Sequence, residues 1–261
     1  MTGLPAVYTR GGSGPPLMFL HGVGGDHSAW RPQLLHFADR YRVFAWDMPG
    51  YGASPPPRSM SFPELARSLA ELLDALNLSK VHLVGQSLGG MIAQEFAATF
   101  PDRLSSLVLV ATSPAFGRSD KEWQQKFLDD RIGVLDRGAT MAELARANIK
   151  RIVGRDPDPL GVEIATACTA NIPVESYKQA VRMIVGFDRR EALARISVPT
   201  LAIAGEVDTV APAPMMQKMA SHIPGAKFVT IPKAGHLANL EQPAAFNETL
   251  GAFLAAHTGG S

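Results

Sequence analysis

Short apolar runs alternate along the chain with longer segments in which apolar residues recur at helical spacing. The runs fall at residues 17–20, 43–46, 81–84, 107–110, 201–204 and 228–231. Each has the length of a strand but not the polar alternation of a half-exposed one. That pattern predicts strands buried on both faces, as in a parallel sheet. Between them lie candidate helices at 30–38, 63–76, 91–100, 212–222 and 243–255. In the second of these, Leu65, Leu69, Leu72, Leu73 and Leu76 share one stripe. Strand–helix alternation of this kind predicts an α/β fold, a mostly parallel sheet flanked by helices and joined by right-handed crossovers.

One region breaks the rhythm. From 113 to 186 there is no strand-like run, only mixed polar helical stretches such as 121–129 and 141–153, interrupted by Asp156-Pro-Asp-Pro159. An insertion there would sit above the C-terminal edge of the strands, where open α/β sheets bind ligands. The expectation is a core of residues 1–112 and 187–261 carrying a helical lid, 113–186, inserted after the sixth strand.

Composition narrows the class. The 261 residues include 24 Gly and 20 Pro, favouring many turns, and are 46% hydrophobic, too apolar for disorder. A net charge of +1 lacks the bulk electrostatics of a nucleic-acid or membrane-surface binder. No stretch approaches the about 18 consecutive apolar residues of a membrane span. The opening Met-Thr-Gly-Leu-Pro has neither a basic nor an apolar region, so no secretory signal is expected. The single cysteine, Cys168, leaves no internal disulfide. A cytoplasmic protein is expected.

Within this frame, Val81-His-Leu-Val-Gly85-Gln-Ser87-Leu-Gly89-Gly90 reads as a strand, a Gly-x-Ser-x-Gly turn and a helix. The chain must reverse within a few residues, so the Ser87 hydroxyl projects from the tip of the sheet. Gly85 and Gly89 leave room where strand and helix converge. The start of the following helix favours developing negative charge. Ser87 is therefore the candidate nucleophile.

A nucleophilic serine needs a base within hydrogen-bond reach. Of the seven histidines, His236 alone sits in a loop after the last strand, at the same sheet edge as Ser87. His82 lies inside a strand and reads as core. His27, His36, His222 and His257 fall on polar or helical segments. The imidazole in turn needs a carboxylate to fix its tautomer. Both Glu206 and Asp208 follow a strand end, and Asp208, deeper in the loop, is preferred. The order Ser, Asp, His is that of α/β hydrolases.

Acyl transfer also needs two backbone N–H donors for the oxyanion. Leu88, after the nucleophile, supplies one. The glycine-rich loop His21-Gly-Val23-Gly-Gly25 supplies the other, and Val23 is the candidate. The loop lacks the Lys-Ser/Thr of a P-loop and is not G-x-G-x-x-G, so a phosphate-binding reading fails. His21 is expected to brace this loop. No cofactor and no metal is called for.

His21-Gly-Val-Gly24, Asp47-Met-Pro-Gly50-Tyr-Gly52-Ala-Ser54, Gly85-Gln-Ser-Leu-Gly-Gly90, Gly205-Glu-Val-Asp208 and Ala234-Gly-His236 occur in the order of the α/β-hydrolase fold superfamily, which the chain resembles over nearly its whole length outside the insertion. The resemblance implies that fold and a Ser–His–Asp triad. Members commonly open with a two-stranded hairpin, for which only about residues 6–9 are available here, so one strand fewer is expected. Haloalkane dehalogenases and many epoxide hydrolases carry aspartate at the position of Ser87. The stretches 187–199 and 236–243 look like 3-oxoadipate enol-lactonases and related small bacterial esterases, and 133–141 adds to that. Carbon–carbon bond hydrolases of aromatic ring-cleavage products are close relatives but typically carry tryptophan where this chain has Leu237. The oxyanion loop is His-Gly-Val-Gly rather than the Ser-Asn-Ser type associated with many enol-lactonases.

The expected activity is cofactor-free serine hydrolysis of a small-molecule ester or lactone. Carbon–carbon hydrolysis is the alternative, and a ligand receptor on the same fold is the non-enzyme alternative. No nucleic-acid or membrane partner is expected. Trp30, Met91, Phe116, Trp123, Ile184 and Leu237 are candidates for an apolar substrate wall. The stretch 144–155 carries Arg146, Lys150, Arg151 and Arg155 and no acid. Spaced four apart, Arg146 with Lys150 and Arg151 with Arg155 could share helix faces that hold a substrate carboxylate.

Overall fold

The computed structural model describes residues 3–116 and 120–258. Residues 1–2, 117–119 and 259–261, which belong to the expected core ends and insertion, lie outside the described residues. The strands are β1 (Val7–Arg10), β2 (Pro16–Leu20), β3 (Arg42–Trp46), β4 (Val81–Gln86), β5 (Leu104–Val110), β6 (Thr200–Gly205) and β7 (Lys227–Ile231). They form one sheet in the order β1-β3-β2-β4-β5-β6-β7. Only β1 pairs antiparallel, with Val7 opposite Trp46, and the other pairings are parallel.

Side chains along the strands alternate between two apolar layers. Leu17, Phe19, Val43 and Ala45 face α1 (Arg31–Phe37), while Met18, Leu20, Phe44 and Trp46 face α2 (Phe62–Ala75) and α3 (Leu88–Thr99). The expected burial on both faces holds for β4 and β6 but not for β7, whose Phe228, Val229 and Thr230 are half-buried. β7 is the sheet's edge and has a neighbour on one side only.

Helix α3 begins at Leu88, three residues before the expected start at 91. Gly89 and Gly90 look like turn residues in sequence, yet both lie in the helix. A Cβ on Gly89 would collide with the carbonyl oxygens of Leu20 and His21. This glycine therefore serves close approach of α3 to the end of β2 rather than chain reversal.

Between β5 and β6 the chain forms α4 (Lys121–Leu128), a π turn (Asp129–Gly133), α5 (Val134–Asp136), α6 (Met141–Ile152), α7 (Pro159–Ala170) and α8 (Val174–Ile184). The insertion follows the fifth strand in chain order, not the sixth as expected. The single N-terminal strand in place of a hairpin lowers the count by one. Thr140 and Glu143 form a capping box at the start of α6, and Asp158 caps α7 by accepting from the Leu160 and Gly161 amides. The expected pairing of Arg151 with Arg155 on one helix face fails because α6 ends at Ile152. There the chain turns to bond the 233–241 segment: the Arg155 amide donates to Lys233 O and the Gly154 amide to Glu241. After β6 come α9 (Ala213–Ser221), α10 (Ala238–Glu241) and α11 (Pro243–Ala255). Among the described residues no helix is long and apolar enough to cross a membrane.

The contact at Gly89 makes a test. Gly89→Ala has no space at the β2–α3 junction and costs at least about 1 kcal/mol, or roughly 2–4 °C of melting temperature. An unchanged thermal midpoint would show that α3 is not held against β2 as described.

Candidate active site

Ser87 sits between the end of β4 and the first turn of α3 with φ 52° and ψ −115°. A non-glycine residue rarely adopts positive φ, and the strain persists only where the surroundings enforce it. The Ser87 amide donates to Val110 O (2.9 Å), and the Thr112 hydroxyl donates to Ser87 O (2.8 Å). Both partners lie at the end of β5, so the sheet itself holds the turn.

His236 lies in the loop after β7, its Nε2 3.0 Å from Ser87 Oγ and its Nδ1 2.8 Å from Asp208 Oδ2. The buried carboxylate only accepts, so the proton on Nδ1 is donated to it. Nε2 is left to accept from the Ser87 hydroxyl. Asp208 Oδ1 accepts from the amides of Val210 (2.7 Å) and Ala211 (3.0 Å). Burial alone would push the Asp208 carboxyl up, but the facing His236 ring and these two amides hold it below its ordinary value. Glu206, the alternative, is exposed and accepts instead from the Lys233 amide (2.7 Å).

The His236 loop is held by its backbone. The Gln86 side-chain amide donates to His236 O (3.0 Å), and the His236 amide donates to Ile152 O (2.9 Å). The buried Glu241 carboxylate collects the amides of Gly154 (2.5 Å), Gly235 (2.9 Å) and Leu237 (2.8 Å). Its part was not visible in sequence, because three amides from two segments meet only in the fold.

The loop after β2 approaches the same point. A Cβ on Gly22 would run into Gln86 Oε1 and crowd the Ser87 side chain, so only glycine lets this backbone come so close. The amides of Val23 and Leu88 have no protein acceptor among the described residues, and both residues line the cavity at Ser87 and His236. His21 is buried, and burial lowers its pKa. As a neutral ring it donates through Nδ1 to Gly22 O (2.8 Å) and accepts at Nε2 from the Met48 amide (2.9 Å). The Thr169 hydroxyl of α7 donates to Gly24 O (2.7 Å).

The cavity has a volume of about 290 Å³. All six residues expected on its wall line it: Trp30, Met91, Phe116, Trp123, Ile184 and Leu237. Trp30 is also fully buried and stacks on Phe19. Phe116 and Trp123 form an aromatic group with Phe127. All four basic residues of the stretch are exposed, and of them only Arg151 also lines the wall. Sequence reasoning missed Arg131 and Tyr177, which also line it. The other histidines lie elsewhere, and His82 is buried in β4, bonded to Ser106 Oγ (2.7 Å).

Asp26, His27 and Asp47 bring ligand-type atoms within 4.8 Å of one another. Those atoms already serve the fold. Asp26 Oδ1 accepts from the Ser28 amide and the Cys168 thiol, and Asp47 Oδ1 bonds the His27 amide and ring.

A family model described as the alpha/beta hydrolase fold matches residues 15–161 and 168–243. The chain is 31% identical to 3-oxoadipate enol-lactonase 1 of Acinetobacter baylyi over 92% of its length and 88% of the relative's. It is 29% identical to the pimeloyl-[acyl-carrier protein] methyl ester esterase of Aeromonas hydrophila, over 94% and 97%. A hydrolase structure from Pseudomonas aeruginosa PA01 superposes with a TM-score of 0.86 at 32% identity, covering 96% of this chain and 94% of that one.

The low Asp208 pKa fixes a sign for acid stability. Its contribution is complete above the ordinary carboxyl value of 3.8 and is lost as pH falls through the lower folded value. In urea titrations below about pH 4, the unfolding free energy of Asp208→Asn depends less on pH than that of wild type. Equal slopes would remove the carboxylate from this network.

Proposed function

We propose that this chain, which belongs to the α/β-hydrolase family, is a cofactor-free serine hydrolase that cleaves a small carboxylic ester or lactone through an acyl-enzyme. The observation that carries the reading is the bonded chain Ser87–His236–Asp208, opening on a cavity where the Val23 and Leu88 amides lack acceptors among the described residues. The names of the enol-lactonase and methyl ester esterase relatives support the same bond class.

The steps follow from the geometry. Ser87 Oγ attacks the carbonyl carbon and passes its proton to His236 Nε2. The carbonyl π electrons move onto oxygen, and the Val23 and Leu88 amides donate to that oxyanion. Asp208, ionised and fixed by the Val210 and Ala211 amides, stabilises the imidazolium and holds its tautomer. The intermediate collapses as His236 gives its proton to the leaving oxygen. Water, deprotonated by the same ring, then attacks the acyl carbon and Ser87 leaves with the proton. In this reading residues 113–186 act as a lid over a core of 1–112 and 187–261. The apolar wall of Trp30, Met91, Phe116, Trp123, Ile184 and Leu237 holds the substrate. Among the described residues nothing on the cavity wall favours the carbon–carbon or receptor readings over this one.

Hydrolysis of p-nitrophenyl butyrate tests the assignment. Ser87→Ala lowers kcat by at least about a thousandfold, and Asp208→Asn by up to about ten-thousandfold. Glu206→Gln stays within a few-fold of wild type. Comparable rates in wild type and Ser87→Ala would end the serine mechanism. A large loss in Glu206→Gln with none in Asp208→Asn would move the acid.

A further inference from the structure

The cavity wall carries charge of one sign. Arg131 and Arg151 line it, and no Asp, Glu or Lys does so among the described residues. Neither guanidinium forms an ion pair among the described residues. The carboxylates beside Arg131 in sequence are engaged elsewhere: Asp129 with Gln125 (2.9 Å) and Asp130 with Lys126 (3.0 Å).

Arg131 is the less comfortable cation. It sits in the π turn after α4, a local break in helical pitch of the kind that often marks functional positions. Its guanidinium lies 3.7 Å from the centroid of the Phe127 ring, and among the described residues it makes one hydrogen bond, a long one of 3.5 Å to Phe127 O. Burial lowers its pKa and the charge of Arg151 adds to that, while Tyr177 and the exposed Asp130 carboxylate push the other way. Arg151 donates to Asn148 Oδ1 (2.9 Å), a neutral acceptor on the same wall. Tyr177, buried beside both cations, has no hydrogen-bond partner for its hydroxyl among the described residues. A partly desolvated guanidinium near another, with no carboxylate paired to either among the described residues, is stabilised when an anion arrives. Planar forks of donors suit a carboxylate. The volume is at the small end for ligand pockets and suits a small organic acid.

We infer that Arg131 and Arg151, with the Tyr177 hydroxyl, form an anion subsite, and that the ester or lactone opened at Ser87 carries a carboxylate on the part reaching this wall. The inference rests on the Ser87 reading for its reaction, but not for its binding site.

Monomethyl succinate, glutarate and adipate are compared with neutral methyl esters of matching chain length, following methanol release. Wild type has a higher kcat/KM for at least one acid than for its neutral partner. The acid-to-neutral ratio falls about 10- to 100-fold in Arg131→Met and in Arg151→Met. Arg131→Lys falls between wild type and Arg131→Met. Each ratio is internal to one variant, so a loss of folded protein cancels from it. No preference for any acid in wild type, or ratios unchanged in both Met variants, would overturn the subsite. Calorimetric titration of Ser87→Ala with glutarate separates the two readings. If no ester is turned over but glutarate binds and Arg131→Met abolishes that binding, the subsite stands and the serine mechanism falls. Absence of glutarate binding to Ser87→Ala, or equal binding with and without Arg131→Met, counts against the subsite.

Discussion

The unusual backbone of Ser87 is the constraint on which the rest depends. A serine at positive φ is held where β5 accepts its amide at Val110 and Thr112, just beyond that strand, donates to its carbonyl. The sheet therefore fixes where the hydroxyl points, and every other group must come to it. His236 arrives from the end of β7, Asp208 from the end of β6 and the Gly22 loop from the end of β2. A parallel sheet brings these loops to one edge because each crossover returns the next strand in the same sense.

Buried polar side chains join those loops to one another. Gln86, beside Ser87, holds the His236 carbonyl, and Glu241 gathers amides from both sides of the same loop. Removing one partner leaves others unpaired in low dielectric, so the framework resists piecemeal loosening. The site is thus rigid in its polar parts and apolar over much of the remaining wall.

The sequence was most legible where local backbone demands dictate residue type. Gly-x-Ser-x-Gly after a buried strand marks Ser87 because few residues tolerate that turn, and the loops holding His236 and Asp208 follow runs too apolar to be anything but strands. Loop depth is what separated Asp208 from Glu206 in the sequence; in the structure Asp208 bonds the His236 ring while Glu206 accepts from the Lys233 amide. The start of α3 was misplaced because a glycine needed for close packing looks like one needed for a turn. Helices α7 and α8 went unassigned; α7 buries residues on more than one side and so gives no clean stripe. Arg131 was invisible, since a π turn decides which way it faces and no spacing rule anticipates one.

The helical insertion is not attached evenly. The end of α6 is bonded to the His236 loop through Ile152 and Gly154, and α7 is bonded to the Gly24 loop through Thr169. Swinging that half away would pull apart the groups it rests on. The half built from α4 meets the cavity through the rings of Phe116, Trp123 and Phe127. Ring contacts slide and re-form without orphaning a polar atom. The α4 side of the insertion therefore meets the cavity through ring contacts and the α6–α7 side through polar ones, and Arg131 follows directly on the former.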